Sequence, residues 1–324
     1  MGISIAKDIK NDMEMMRAAY CNTLIEIADK DKRVVVLDAD LMKSMGMIPF
    51  LKAHPSRTFN CGVQEANMIG VACGLSATGK VPFAHTFGPF ATRRCFDQIF
   101  LSAAYARLNI RITGSDPGIT AAYNGGTHMP FEDMGLMRCI PGATLIEPTD
   151  CVMLKDLLWQ IKDMYGVFYI RIQRKEPKMI YKPGSVFTIG KGIVLKDGAD
   201  VTLIASGLLV SDALEAARLL EEKGVSARVV NMFTWKPVDR ELIEKCAAET
   251  GAIVTVENHN IINGLGSAVA EVIAENKPVP MERIGSQDRF GEVGNVDYLK
   301  KAFNMTADDI AKAARKVVRR KIGE

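Results

Sequence analysis

The chain has 324 residues, 48% of them hydrophobic and 24% charged, with a formal net charge of +3. That length exceeds one ordinary core and suggests two domains, while the small net charge gives no strong field and so does not imply nucleic-acid binding. Seven cysteines without paired spacing suit reduced thiols in the cytoplasm rather than a disulfide framework or a zinc site, and no stretch approaches the roughly 20 apolar residues that cross a membrane.

In chain order, Met13–Ala28 carries apolar residues at helical spacing, and Arg33–Leu37 is a β-branched strand that ends in Asp38-Ala39-Asp40. Alternation continues with helices at Ala66–Ala77, Phe90–Tyr105 and Thr149–Met164, and with strands at Val81–His85, Asn109–Thr113, Ala143–Glu147 and Val167–Ile172. Buried strands alternating with helices predict a parallel sheet covered on both faces, whose ligands gather at the carboxyl ends of the strands. Gly114–Gly142, rich in Gly, Pro, Asn and Thr, leaves such an end as a long segment without regular structure, and segments of that kind are often functional. The Pro- and Gly-bearing stretch Lys175–Lys191 breaks the rhythm. We therefore divide the chain into residues 1–178, a linker at 179–190 and residues 191–324.

The second part is also α/β. Its strands fall at Val201–Ala205, Ala227–Asn231 and Gly251–Glu257, and its helices at Leu209–Lys223, Val238–Thr250 and Gly266–Glu275. A last helix opens on Thr306-Ala307-Asp308-Asp309, an N-cap followed by first-turn acids, and ends in Arg319, Arg320 and Lys321, which suit a helix C-terminus.

The stretch around which the first part is organised is Asn60 to Gly74, where Glu65 arrives just as an apolar helical run begins. An acid in a first turn favours the helix dipole by up to about 1 kcal/mol, which suffices as a structural reason for it. An ordered set of motifs gives it another. Asp38-Ala39-Asp40-Leu41, Gly62-Val63-Gln64-Glu65-Ala66-Asn67-Met68, Thr86-Phe87 with Phe96-Asp97-Gln98, Asn124-Gly125-Gly126-Thr127-His128, and Arg171-Ile172-Gln173-Arg174 resemble the pyrimidine-binding domain of transketolase. Residues from Gly184 onward resemble its C-terminal domain.

The resemblance implies thiamine diphosphate as cofactor. Glu65 matches the family glutamate that bonds the pyrimidine N1′ and favours the 4′-imino form. Phe87 and Phe90 match the rings that pack on the aminopyrimidine, Asp40 matches a position near the cofactor, and Arg93 stands where a tyrosine often lies. His128 matches the histidine that binds substrate and moves protons beside the reacting carbon. Arg17, Ser44 and Arg174 match the residues that hold a sugar phosphate, a dianion suited to an arginine fork. Asn124 replaces an aspartate that contacts the substrate hydroxyl, and a family histidine near Ser115-Asp116 is missing, so the sugars accepted are expected to differ.

The Gly-Asp-Gly motif through which this family holds the diphosphate and Mg²⁺ does not occur in the sequence. The resemblance therefore implies a C-terminal subunit of a split transketolase that joins an N-terminal subunit carrying the diphosphate and Mg²⁺ ligands, with an α2β2 heterotetramer as the simplest closed assembly. Two-carbon ketol transfer between sugar phosphates of the pentose phosphate pathway is the expected activity. The alternatives are half of a 1-deoxyxylulose-5-phosphate synthase or a 2-oxo-acid dehydrogenase beta subunit, against which Gly126-Thr127-His128 argues, and a non-catalytic scaffold subunit.

Overall fold

Runs of valine, isoleucine and leucine with no polar interruption can be satisfied only as strands buried on both faces, and the chain folds them into two sheets. The computed structural model describes residues 2–323. Its first sheet takes β1 (Val34–Asp38), β2 (Thr58–Asn60), β3 (Val81–Phe87), β4 (Ile110–Ser115), β5 (Thr144–Ile146) and β6 (Val167–Ile172), all parallel and ordered β5-β6-β4-β3-β1-β2. The later strands are β7 (Ile193–Lys196), β8 (Val201–Ala205), β9 (Ala227–Asn231), β10 (Thr234–Lys236), β11 (Ile253–Asn260) and β12 (Met281–Ser286). Five of them form the second sheet, ordered β12-β11-β8-β9-β7, in which β7 runs antiparallel. The sixth, β10, crosses back to pair antiparallel with β5 and becomes the seventh strand of the first sheet.

Alternate strand residues sort to opposite faces. Val34, Val36 and Phe83 pack beneath the paired helices Met16–Lys30 and Cys151–Asp163 with Leu24, Ile27 and Leu158, whereas Val35, Leu37 and Ala84 meet Met68, Ile69 and Ala72 of the helix Glu65–Ala77. Each such side chain larger than alanine, fully buried, contributes about 1.5–3 kcal/mol of transfer free energy. The register puts Asp38 beside His85, Phe87 beside Ser115, and Ser115 beside Ile172. The carboxyl ends of four central strands are thus level, and the loops that follow them converge on one edge.

Two stretches differ from the sequence reading. Helical spacing from Phe90 to Tyr105 is interrupted: a short helix Gly88–Ala91 stops at Thr92 (φ −123°, ψ −84°), and the chain resumes as Phe96–Gln98 and a π-helical turn at Ile99–Tyr105. Thr92 bonds back to the Gly88 carbonyl at 2.7 Å, and Arg93 and Arg94 anchor on different partners, so the helix cannot continue through them. The long segment Gly114–Gly142 is not structureless. It carries a 3₁₀ turn at Gly118–Asn124 and a helix at Asp133–Arg138. At the far end of the chain, Thr306 and Asp309 do form a reciprocal capping box.

The two sheets are joined through a buried polar cluster. Arg171 is fully buried; it donates to both oxygens of Asp133 at 2.9 Å, to Glu147 at 2.9 Å and to the Asn258 carbonyl at 2.9 Å. Tyr169 adds a bond to Asp133 at 2.7 Å, and Ser206 from the second sheet donates to Glu147. A buried guanidinium is tolerated because each carboxylate that neutralises it is itself hydrogen-bonded.

Candidate active site

The helix Glu65–Ala77 starts at the level edge, so the Glu65 carboxylate, 2% exposed, enters the group of side chains above the sheet. Both its oxygens accept from Arg94 Nη1, at 2.8 and 2.9 Å. The Arg94 guanidinium lies 3.8 Å from the centroid of the Phe90 ring, and the edge of His128 meets Phe90 with centroids 5.2 Å apart and planes at 75°. Phe87 stands 6.0 Å from His128 and 6.2 Å from Phe90, and the guanidinium of Arg174 lies 5.0 Å above the Phe87 ring. Glu65, Phe90, His128, Phe87 and Arg174 therefore form one contiguous wall.

Beyond Phe87 the wall turns into a cavity of about 450 Å³ lined by Arg17, Asp116, Asn124, Arg174 and Lys175 among others. Arg17 Nη1 donates to the Ser44 carbonyl at 3.0 Å, and Arg174 Nε donates to Asp116 at 2.7 Å. Burial pushes the Asp116 carboxyl upward, and the charge of Arg174 opposes that shift. With three cations against two acids, the buried and paired Asp116 and the exposed Glu176, the cavity keeps a positive excess and suits an anion. A larger cavity of about 690 Å³ opens at the other end of the sheet, between Phe100, Tyr105, Arg107 and Tyr165, and no carboxylate or histidine lines it.

Three expected residues are not part of that wall. Ser44 serves Arg17 through its carbonyl rather than its hydroxyl. Asp40 is exposed in a left-handed conformation (φ 62°) and is tied to Asn60. Arg93 turns away from Glu65, pairs with Glu132 at 2.9 Å and donates to the Thr127 carbonyl at 2.8 Å, so it steadies the His128 loop from behind.

That loop is held under strain. Asp116 (φ 59°) and Ala122 (φ 49°, ψ −115°) adopt conformations that L-residues avoid, which the packing around them must enforce. Much of that packing comes from the end of β11. Asn258 accepts from the Ile119 amide at 2.9 Å and donates to the Pro117 carbonyl at 2.9 Å, and the Asn260 amide bonds the Phe131 carbonyl at 2.8 Å. The fit is so close that a Cβ on Gly118 would lie 2.1 Å from Asn258 Oδ1, and one on Gly126 would lie 2.4 Å from the Gly291 carbonyl. His128 is further oriented by Thr127, whose Oγ1 lies 2.8 Å from its Nδ1.

Sequence reasoning missed Arg94 and Asn258. The doublet Arg93-Arg94 inside a helical pattern was a signal for the first, since both cannot share one helix face. Nothing local marked the second.

Among the described residues no cluster of His, Cys, Asp and Glu is arranged to hold a metal ion, and no helix is long and apolar enough to cross a membrane.

Comparison with known proteins places the chain. Residues 12–178 match the transketolase pyrimidine binding domain, and residues 190–310 match the transketolase C-terminal domain. The 6-deoxy-6-sulfo-D-fructose transketolase subunit SqwH of Clostridium sp. strain MSTE9 is 49% identical over 97% of this chain and 98% of its own length. Human transketolase is 34% identical, and the match covers 93% of this chain but 49% of that protein. Among solved structures, a split gene transketolase described as an inactive beta4 tetramer superposes with a TM-score of 0.89 at 42% identity, covering 95% of this chain and 99% of that one.

Proposed function

The chain belongs to the transketolase family, and we propose that it works as the C-terminal subunit of a split transketolase in the cytoplasm, completing a thiamine diphosphate site together with a separate N-terminal subunit. The match to nearly all of one named subunit and to about half of the human enzyme supports the split. Mg²⁺ and the diphosphate would be held by the partner chain, in an α2β2 assembly.

The observation that carries the reading is the grouping of a buried carboxylate, an aromatic face and an oriented histidine at the carboxyl edge of the sheet. These residues fit an aminopyrimidine: Glu65 offers a carboxyl to the ring nitrogen N1′, and Phe90 offers a flat apolar face. The chemistry supplied by bound thiamine diphosphate is a nucleophilic carbon that carries a two-carbon ketol unit from one sugar to another. Glu65 holds a proton against N1′, and Phe87 and Phe90 exclude water from one side. His128, with Nδ1 occupied by Thr127, keeps Nε2 for the oxygens of the sugar, where it donates or takes up a proton. Arg17, Arg174 and Lys175 would hold the charged far end of the sugar, and Asn124 would contact a hydroxyl in its middle.

A ketose ending in a sulfonate or phosphate fits that cavity, and the relative named for 6-deoxy-6-sulfo-D-fructose favours the sulfonate. The test is to recover the chain with the protein that co-purifies with it. Two-carbon exchange is then assayed with thiamine diphosphate and Mg²⁺, comparing 6-deoxy-6-sulfo-D-fructose with fructose 6-phosphate as donors. Exchange by the pair and none by either chain alone is the expected result. Full activity of this chain by itself removes the split-subunit reading.

A further inference from the structure

Resting on that reading, the position of Arg94 carries one step more. The guanidinium carbon of a planar cation lies over the Phe90 ring, 3.8 Å from its centroid, and one nitrogen of the same group donates toward both oxygens of a carboxylate that is 2% exposed. Those are the two contacts that an aminopyrimidine would need, a ring face and the Glu65 carboxyl. Two flat groups cannot use them together. We propose that Arg94 is a placeholder for the cofactor's aminopyrimidine: it fills the ring's place until the cofactor arrives, and then swings out.

The local structure allows the movement. Arg94 lies in the break between Gly88–Ala91 and Phe96–Gln98, and its amide reaches the Pro89 carbonyl only at 3.4 Å. Its side chain is 43% exposed and engages Glu65 through a single nitrogen, without the two-pronged geometry that makes arginine–carboxylate pairs durable. Cations on aromatic faces at exposed sites are held weakly. Something must nevertheless pair with Glu65 in the absence of ligand, because an isolated buried carboxylate is severely disfavoured. Arg94 meets that need and keeps Glu65 and Phe90 in register. The ligand class that can relieve it is restricted to flat heterocycles carrying a protonated or proton-sharing ring nitrogen.

The competition has a measurable signature. Calorimetric titration of thiamine diphosphate with Mg²⁺ into the chain assembled with its partner gives the dissociation constant for wild type, Arg94→Ala and Arg94→Gln. The glutamine keeps a hydrogen-bond donor for Glu65 should the alanine variant fold poorly. Because apparent affinity scales with the fraction of sites already open, both variants should bind roughly tenfold tighter than wild type. The ratio should fall toward one as NaCl is raised, since salt loosens the half-exposed ion pair in the wild type. A residue that merely supports the fold would weaken binding when removed. Equal or weaker binding by both variants overturns the placeholder while leaving the cofactor reading in place, whereas failure of every form, wild type included, to take up cofactor removes both.

Discussion

Two arginines meet carboxylates at the edge of the first sheet, and they differ in how firmly each is held. Arg171 has 0% exposed side chain and reaches Asp133, Glu147 and two backbone carbonyls. Arg94 reaches one carboxylate from one nitrogen with its side chain 43% exposed. The same pair of functional groups thus makes a permanent joint in one place and a removable contact in the other. What decides is the number of partners and the access of water, since exposed pairs contribute about 0–1 kcal/mol and breaking a buried one costs about 3–5 kcal/mol.

That contrast can be tested by removing its parts, beginning with the joint. Arg171→Met leaves Asp133 and Glu147 buried without a cation, and chemical denaturation should show a loss of about 3–5 kcal/mol or outright failure to fold. Arg94→Ala takes the cation from Glu65 but lets water in where the half-exposed arginine stood, so the same measurement should show a clearly smaller loss; equal losses from both would erase the distinction. On the chemical side, Glu65→Ala in the assembled enzyme should reduce turnover to background while the midpoint of thermal unfolding stays close to that of wild type. His128→Ala should lower kcat by about 10²–10⁴-fold, the usual range for a positioned acid or base, with cofactor affinity unchanged by titration.

The joint should also sense acid. Burial, with Arg171 nearby, pushes His259 down to about 4 from an ordinary 6.5, and its Nε2 accepts from the Gly135 amide at 3.2 Å, a bond that a proton on that nitrogen would break. At this group the unfolded chain therefore binds more protons between these values, so its contribution to stability should drain away as pH falls from about 6.5 to about 4, opposed by the neighbouring Glu257, whose carboxyl burial pushes up to about 7. His259→Asn should remove this loss, making stability between about pH 6.5 and 4 fall less on acidification than in wild type, and an unchanged slope would discount the assignment. The smallest expected effect is at Asn124, where Asn124→Asp should shift the preference among aldose acceptors without altering cofactor binding. An unchanged acceptor profile would detach that residue from specificity.

Sequence and structure agree where a signal is local and continuous. Val167–Ile172, Val201–Ala205 and Ala227–Asn231 are short runs dominated by apolar and β-branched residues and form strands over those same residues. Glu65, Phe87, Phe90 and His128 do meet in space, as do Arg17, Asn124 and Arg174, because motifs that end parallel strands are delivered to a common edge. The split of Phe90–Tyr105 was hidden because Thr92, Arg93 and Arg94 are each acceptable in a helix, and only their distant partners pull them out of it. The clamp on the His128 loop was hidden for a related reason: Asn258 and Ile119 are separated by 139 positions, and neither is unusual in its own surroundings. Three-residue strands such as Thr58–Asn60 carry too few side chains to show a period.

The return of Thr234–Lys236 to lie beside Thr144–Ile146 has a practical consequence for anyone dissecting the molecule. A fragment cut near residue 190 would leave one margin of the first sheet with bare amides and carbonyls, the kind of template on which chains stack into aggregates. The halves of this protein should therefore express well together and poorly apart, although each has a sheet of its own.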